Sequence, residues 1–203
     1  MSAAATTGKL QLLPAAQRTG VPWKNRGGVT SEIAVHPSRA SLENFDWRIS
    51  CAQVDSVGAF SRFPGIDRVI VILAGELALE VEGSPAVVLS PQSAPWAFPG
   101  DAATSGGPVA GTVQDLNVMT RRGRSHARVQ RCLVEDRAKF SFAAATTIVL
   151  ASTQMVMHAH ELTVPLEPLD ALRIDGALHC EFSSVVPGAC FYRIEISPGA
   201  KGA

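Results

Sequence analysis

The stretch Phe60-Ser61-Arg62-Phe63-Pro64-Gly65-Ile66-Asp67-Arg68-Val69-Ile70-Val71-Ile72-Leu73 decides how the chain is read. Its second part, Val69 to Leu73, is an unbroken aliphatic run, and all but Leu73 are β-branched. A run this short, without a polar face and followed by a turn at Ala74-Gly75, is a strand buried on both sides. Its first part sets two aromatics, a Pro, a Gly and three charges into a loop that enters that strand. Such a loop is a candidate pocket wall. The competing reading is a plain turn with a solvated Arg and Asp.

Working outward, the flanking segments carry the same period-two texture. Val29 to Val35 alternates, with Val29, Ser31, Ile33 and Val35 on one side and Thr30, Glu32 and Ala34 on the other. In Asp46 to Val54, Arg48 and Ser50 share a face opposite Trp47, Ile49 and Cys51. Glu76 to Glu82, Ala86 to Leu89 and Val113 to Met119 continue the pattern, the last with Asp115 and Asn117 on one face. Leu10 to Leu13, Thr147 to Ala151, Gln154 to His158, Glu161 to Val164 and Cys190 to Ile196 are further short strands. Gly and Pro punctuate every interval, and no segment shows a helical period over ten residues. The expected class is therefore all-β, a sandwich or barrel.

An offset of 77 superimposes Leu73-Ala74 on Leu150-Ala151, Val87 on Val164, Leu89 on Leu166, Pro91 on Pro168 and Ala94 on Ala171. This points to a duplicated β-unit, with domains at 1–120 and 121–203 and strands exchanged between lobes as an option. The second copy lacks the dense polar loops, so the first is expected to hold the site.

Composition narrows the function. The 203 residues are 46% hydrophobic and 18% charged, enough for a sizeable core, and the formal net charge is +0. Balanced charge argues against a nucleic-acid or membrane-surface partner. The Arg-rich stretch Arg121 to Arg131 has no aromatic platforms and reads as a solvated connector between lobes. No apolar run spans a bilayer, and the N-terminus lacks a signal-peptide pattern, so a cytoplasmic location is expected. Cys51, Cys132, Cys180 and Cys190 are scattered through apolar contexts and read as buried reduced thiols.

Five motifs in order resemble the HutD/Ves family: Pro22-Trp23-Lys24-Asn25, Thr30-Ser31-Glu32-Ile33, Asp46-Trp47-Arg48-Ile49-Ser50, Phe60 to Arg68, and Leu116-Asn117-Val118-Met119-Thr120-Arg121. The resemblance spans about residues 10–196. Arg26 departs from it, standing where Gly or Ala is more usual. The resemblance implies a bicupin: two cupin-type jelly-roll barrels in one bacterial chain, a small-molecule-binding regulator or accessory protein of histidine utilisation. It implies a pathway carboxylate such as urocanate, formylglutamate or formate as ligand, a pocket in the N-terminal barrel, and Arg62 as its anion contact.

The candidate ligand-binding set is Trp23, Lys24, Asn25, Glu32, Arg48, Ser61, Arg62, Phe63, Phe98, Asp115 and Asn117. Lys24, Arg48 and Arg62 suit carboxylates, Asn25 and Asn117 neutral hydrogen bonds, and Trp23, Phe63 and Phe98 an apolar wall. Glu32 would orient an Arg or accept from an N–H. Pro64-Gly65 shapes the turn, and Asp67-Arg68 is expected as a structural pair at the strand entrance. Neither a cofactor nor a metal is expected. The first half has no His between His36 and His126, and in His158-Ala159-His160-Glu161 the Glu points away from the two His on a strand, with His179 too near in sequence for a cupin metal site. No catalytic residue is assigned. The alternatives are a metal-free isomerase or hydrolase with Glu32 or Asp115 as general base, and a ligand-free interaction module. A homodimer is compatible with either.

Overall fold

A computed structural model of the chain describes residues 8–23 and 26–199. Those residues form nineteen strands and one short 3₁₀ turn, Ala15–Gln17. The chain divides into two compact units. The first holds Arg18–His126; the second holds the N-terminal segment through Gln17 and Ala127–Pro198. The division therefore falls at 126/127 rather than 120/121. Strand β1 (Lys9–Leu13) goes with the second unit, not with the N-terminal half, because it pairs along its whole length with Ala171–Asp175.

In the first unit the strands are β2 (Gly20–Pro22), β3 (Gly28–His36), β4 (Trp47–Val54), β5 (Gly58–Ala59), β6 (Ile66–Ala74), β7 (Leu77–Val81), β8 (Val87–Leu89), β9 (Trp96–Pro99), β10 (Thr104–Pro108) and β11 (Val113–Arg121). They form a six-stranded sheet, β2-β3-β4-β11-β6-β9, and a four-stranded sheet, β5-β10-β7-β8. The apolar run Val69 to Leu73 lies in β6, between β11 and β9. A core joins the sheets: Val54, Ile70, Ile72, Phe98 and Val113 from the larger meet Leu77, Leu79, Val81 and Leu89 from the smaller. Each supplies its inward residues at period two.

The second unit adds β12 (Ser125–Leu133), β13 (Arg137–Phe142), β14 (Thr146–Ala151), β15 (Met155–Ala159), β16 (Leu162–Leu166), β17 (Ala171–Asp175), β18 (Leu178–Ser183) and β19 (Cys190–Pro198). Its sheets are β1-β17-β14-β19-β12 and β13-β18-β15-β16. Strands β4 to β11 and β12 to β19 follow one plan. The order β4-β11-β6-β9 with β5-β10-β7-β8 recurs as β12-β19-β14-β17 with β13-β18-β15-β16. Most residues matched at the offset of 77 sit on equivalent strands, Leu73 and Leu150 in β6 and β14, Val87-to-Leu89 and Val164-to-Leu166 in β8 and β16, whereas Ala94 precedes β9 and Ala171 opens β17.

One local expectation changes, and two turn-rich stretches form strands. The Arg-rich stretch after Arg121 is no connector: Ser125–Leu133 is the edge strand β12, on which His126, Arg128 and Arg131 are exposed. Ser105-Gly106-Gly107-Pro108 is no loop but strand β10. Its glycines are needed because a Cβ on Gly106 would stand 2.7 Å from Ala78 O, and one on Gly107 2.5 Å from Val57 Cα. Trp96–Pro99 is likewise strand β9, not a turn.

Gly28 is a sharper case of the same constraint. It opens β3, and a Cβ there would lie 2.3 Å from the backbone oxygen of Gln53 on β4. A backbone oxygen held between two paired strands has little room to step aside. Gly28→Ala is expected to lower the unfolding free energy by about 1–3 kcal/mol, read as a shift of the urea midpoint at unchanged slope; an unchanged midpoint would show that β3 and β4 are less tightly paired than this.

Candidate functional site

Period two runs through β6 from its aliphatic centre back to its start. Ile72 and Ile70 face the core of the first unit, so Arg68 does too, while Asp67 points the other way. The ladder extends this face sideways. Arg68 stands opposite Met119 on β11 and Phe98 on β9. Met119 stands opposite Arg48, Asn117 opposite Ser50, and Asp115 opposite Ala52 on β4. Ser50 stands opposite Glu32 on β3. One face of the sheet therefore carries Arg48, Ser50, Arg68, Asp115 and Asn117, with Glu32 in phase with them but exposed at its edge. An irregularity in β3 between Glu32 and Ala34 shifts the register, so Val35 pairs with Arg48 and joins the side of Glu32. This overturns the simple alternation that set Val35 against Glu32.

The chemistry of this face is unusual for a core. Arg68 is 5% exposed, Asp115 2%, Asn117 9% and Ser50 2%. The Arg68 guanidinium lies over three rings, Phe98 at 4.8 Å, Phe60 at 5.6 Å and Phe63 at 5.7 Å. Ring faces attract a cation, about 0.5–2 kcal/mol each, but they do not replace the several kcal/mol of hydration lost by a buried ion. Its Nε and Nη1 make no hydrogen bond, and neither do Asp115 Oδ1 and Asn117 Oδ1. Unpaired buried polar atoms are rare in folded proteins and mark places built for something else.

Burial pulls the Arg68 guanidinium down to about 10; Asp115 draws it back up, and Arg48 lowers it further. Burial pushes the Asp115 carboxyl up to about 7, against the lowering effects of Arg68 and a hydrogen bond from the Ala52 backbone. Arg48 is the satisfied member of the set: its Nε donates to Glu32 Oε2 at 2.8 Å and its Nη1 to Ser50 Oγ at 3.3 Å. Beside this face, Trp23 donates from Nε1 to Thr30 Oγ1 at 2.7 Å and meets Phe60 edge-on at 6.3 Å.

The expected site residues divide accordingly. Arg48, Asp115, Asn117 and Phe98 share the inward face, with Glu32 at its edge; Phe63 reaches it through Arg68, and Trp23 through Phe60. Arg62, expected as the anion contact, is 60% exposed and faces Glu82 at 3.7 Å, and Ser61 is exposed beside it. Both lie in the loop before β6, outside the strand's inward phase. Lys24 and Asn25 lie outside the described residues. Asp67 and Arg68 are not a pair: Asp67 accepts from Arg122 Nε at 2.6 Å, and Arg122 also pairs with Asp101. Asp101 in turn accepts from the Gly65 backbone at 2.8 Å, which pins the Pro64-Gly65 turn. That amide, and Arg122 after it, hold the Asp101 carboxyl below its usual range.

The second unit also carries an arginine on its inward face, half-buried and on β19, the equivalent of β11 rather than of β6. Arg193 lies over Phe142 at 5.0 Å but is hydrogen-bonded to Glu195, leaving Nε and the nearby Thr147 hydroxyl unbonded. A surface cavity of about 260 Å³ also opens in that unit, between Gln154, Met155, Pro165 and Ser183, and no buried unpaired atom belongs to its walls. His158 shares hydrogen bonds with the hydroxyls of Thr163 and Ser183, His179 with Ser141, and His160 sits in the turn after β15. Among the described residues no three His, Cys, Asp or Glu side chains group closely enough to hold a metal ion. All four cysteines are free thiols, and burial pushes those of Cys51 and Cys180 up to about 12, far from the reactive range.

The architecture is that of a cupin-like all-β protein. A cupin 2 conserved barrel domain protein from Leptotrichia buccalis shares the fold at a TM-score of 0.55 and 9% identity, covering 88% of this chain and 92% of that one. The chain belongs to the HutD family, whose model matches residues 15–191. A Pseudomonas putida protein described by its place in the hutC 3' region is 34% identical over 83% of this chain and 88% of its own. Protein Ves of Citrobacter koseri is 38% identical over 59% of this chain and 61% of its own. The structure of HutD from Pseudomonas fluorescens SBW25, in a formate condition, matches at a TM-score of 0.79 and 31% identity, covering 94% of this chain and 99% of that one.

The state of Asp115 is open to measurement. Its folded value, about 7, lies above the roughly 3.9 of an unfolded Asp. The stability it contributes is thus complete in acid and lost as pH rises through neutrality, at about 1.4 kcal/mol per pH unit between roughly pH 5 and 7. The isosteric Asp115→Asn has no such group to titrate. Urea unfolding of both proteins from pH 5 to 8 is expected to show a steeper decline in the wild type; parallel curves would mean that Asp115 is ionised throughout.

Proposed function

We propose that this chain is a small-carboxylate-binding protein, acting as a regulatory or accessory component of histidine utilisation by binding rather than turnover. Each eight-stranded half is read as a cupin-type jelly roll, with the ligand held inside the N-terminal one. The observation that carries the reading is Arg68. A guanidinium this deeply buried, flanked by aromatic rings and holding two unbonded nitrogens, is complementary to a planar anion. Arg48, steered by Glu32 and Ser50, adds a second positive charge on the same face. Two arginines in one interior disfavour a cation and favour a carboxylate, which argues for a metal-free site from the donor set itself. The family membership and the hutC-region relative support the pathway; urocanate, formylglutamate and formate are the compounds to try first.

A second reading rests on one observation. An aspartate near 7 in a desolvated site has the value a general acid or base needs at neutral pH. An isomerase or hydrolase acting on the same carboxylate would use Asp115, and Asp115→Asn would then abolish turnover while ligand still bound.

Calorimetric titration with the three carboxylates separates the assignments. Arg68→Met, which keeps the bulk and removes the charge, is expected to weaken binding at least about 30-fold. Arg62→Ala, at the exposed edge of the loop, is expected to stay within about threefold of wild type. Loss of binding in Arg62→Ala with Arg68→Met unaffected would move the site to the loop, and no heat with any small carboxylate would overturn the reading.

A further inference from the structure

The atoms left unbonded around Arg68 are not all of one kind. Arg68 offers donors, Nε and Nη1; Asp115 and Asn117 offer acceptors, both Oδ1. A lone carboxylate satisfies the first and leaves the second buried and empty, at a cost of about 1–3 kcal/mol for each such group in proteins generally. Asn117 can turn its amide to present either atom. Asp115 in its ionised form, which prevails at pH 8, is acceptor-only, so it decides the sign of what it faces.

The two kinds of atom are also spread along the sheet. Met119 is the residue of β11 that stands opposite Arg68. Asn117 and Asp115 follow two and four residues further along that strand on the same face. At about 3.4 Å per residue this is roughly 7–14 Å of strand, less the reach of the arginine. That length suits a small molecule better than a single ion. The walls are flat and apolar: Phe60, Phe63 and Phe98 around Arg68, with Trp96 against Phe98 at 5.4 Å and Trp23 against Phe60.

We infer that the ligand is a flat, two-ended carboxylate, its anionic end on Arg68 and an N–H donor at its other end on Asp115 and Asn117. The inference rests on the carboxylate reading above and narrows it. It assigns Asp115 as the residue that selects among carboxylates, with Arg68 binding them all. Arg48 and Glu32 share the face and bond each other, so they leave the choice to Asp115.

The test uses a matched pair that differs in one ring atom. 3-(1H-pyrrol-3-yl)acrylate carries a ring N–H at the end away from its carboxylate; 3-(furan-3-yl)acrylate presents a ring oxygen, an acceptor, at that far end. Cinnamate supplies the carboxylate and the flat ring with neither. Titrated calorimetrically into the full chain at pH 8, the pyrrole acid is expected to bind at least about tenfold more tightly than the furan acid, because a site with a buried acceptor rejects an analogue lacking the donor. In Asp115→Asn the carboxamide can turn its NH₂ toward the furan oxygen, and the preference is expected to fall below about threefold. Asn117→Ala is the second variant should Asp115→Asn fail to fold, and it too is expected to narrow the ratio. Arg68→Met is expected to weaken both acids alike and keep the ratio. Equal binding of the two acids by the wild type, with both lost in Arg68→Met, would overturn the inference and leave the carboxylate reading standing. Absence of binding by all three acids, together with the three carboxylates named above, would overturn both.

Discussion

A charged guanidinium inside a β-sandwich is the constraint around which the first unit is arranged. Arg68 cannot be hydrated where it sits, so everything that touches it has to make up part of what water gave. Phe60, Phe63 and Phe98 turn their faces to it, and Asp115 answers its charge without touching it. The support reaches further out. Phe60 and Phe63 come from the loop before β6, and that loop is pinned by Asp101 on the Gly65 amide and by Arg122 on Asp67 and Asp101. Phe63 and Gly100 also exchange backbone contacts, Phe63 N donating to Gly100 O at 2.8 Å. An exposed ion cluster is worth little on its own. Here it fixes two of the three rings that shield a buried ion, so its effect is on placement rather than on net stability.

The duplicated plan shows what is scaffold and what is site. Both units repeat one order of eight strands, extended by β2-β3 in the first and β1 in the second. The interiors differ in their polar content. In the second unit the arginine on the inward face is bonded by a glutamate two residues along the same strand. In the first, Arg68 and Asp115 sit on different strands and interact through space. An ion pair closed within one strand stabilises itself and has little left to offer. A separated pair keeps its donors and acceptors directed at a third party. The site follows from a few side-chain choices on a repeated frame, not from a different fold.

Much of the frame was legible from the residues. Alternation and Gly/Pro turns are local signals, and they located most strands within a residue or two. The glycine strand β10 was hidden because its glycines answer to neighbours distant in sequence, Ala78 and Val57, which no local pattern reveals. The edge strand β12 was hidden because a basic edge looks like a solvated linker. The candidate face was legible in part: Glu32, Arg48, Asp115, Asn117 and Phe98 share it, while Arg62 lies in the exposed loop. The signal for Arg68 is phase: it stands two and four residues before Ile70 and Ile72, on the same face of one strand. Counting the period back from the apolar run, instead of starting the strand at Val69, would have turned Arg68 inward. The irregularity in β3 that brings Val35 to Arg48 has no such signal, since it depends on β4 as partner.

The two ionisable groups of this interior divide the work between them. Arg68, drawn down only to about 10, stays charged across the physiological range, so the proposed anion contact would hold throughout it. Asp115, raised to about 7, does not hold one charge there. With Asp115 protonated, the Arg48–Glu32 pair cancels and the interior carries one net positive charge, which a simple anion neutralises. With Asp115 ionised the interior is already neutral, and the ligand that fits is one whose negative end faces Arg68 and whose N–H end faces the aspartate. On the proposed assignment the same residues would accept two charge patterns, and a ligand with the second pattern would fix Asp115 in the ionised state as it bound. Selection would then reside in the acid and not in the arginine, and affinity for carboxylates in general would be separable from preference among them.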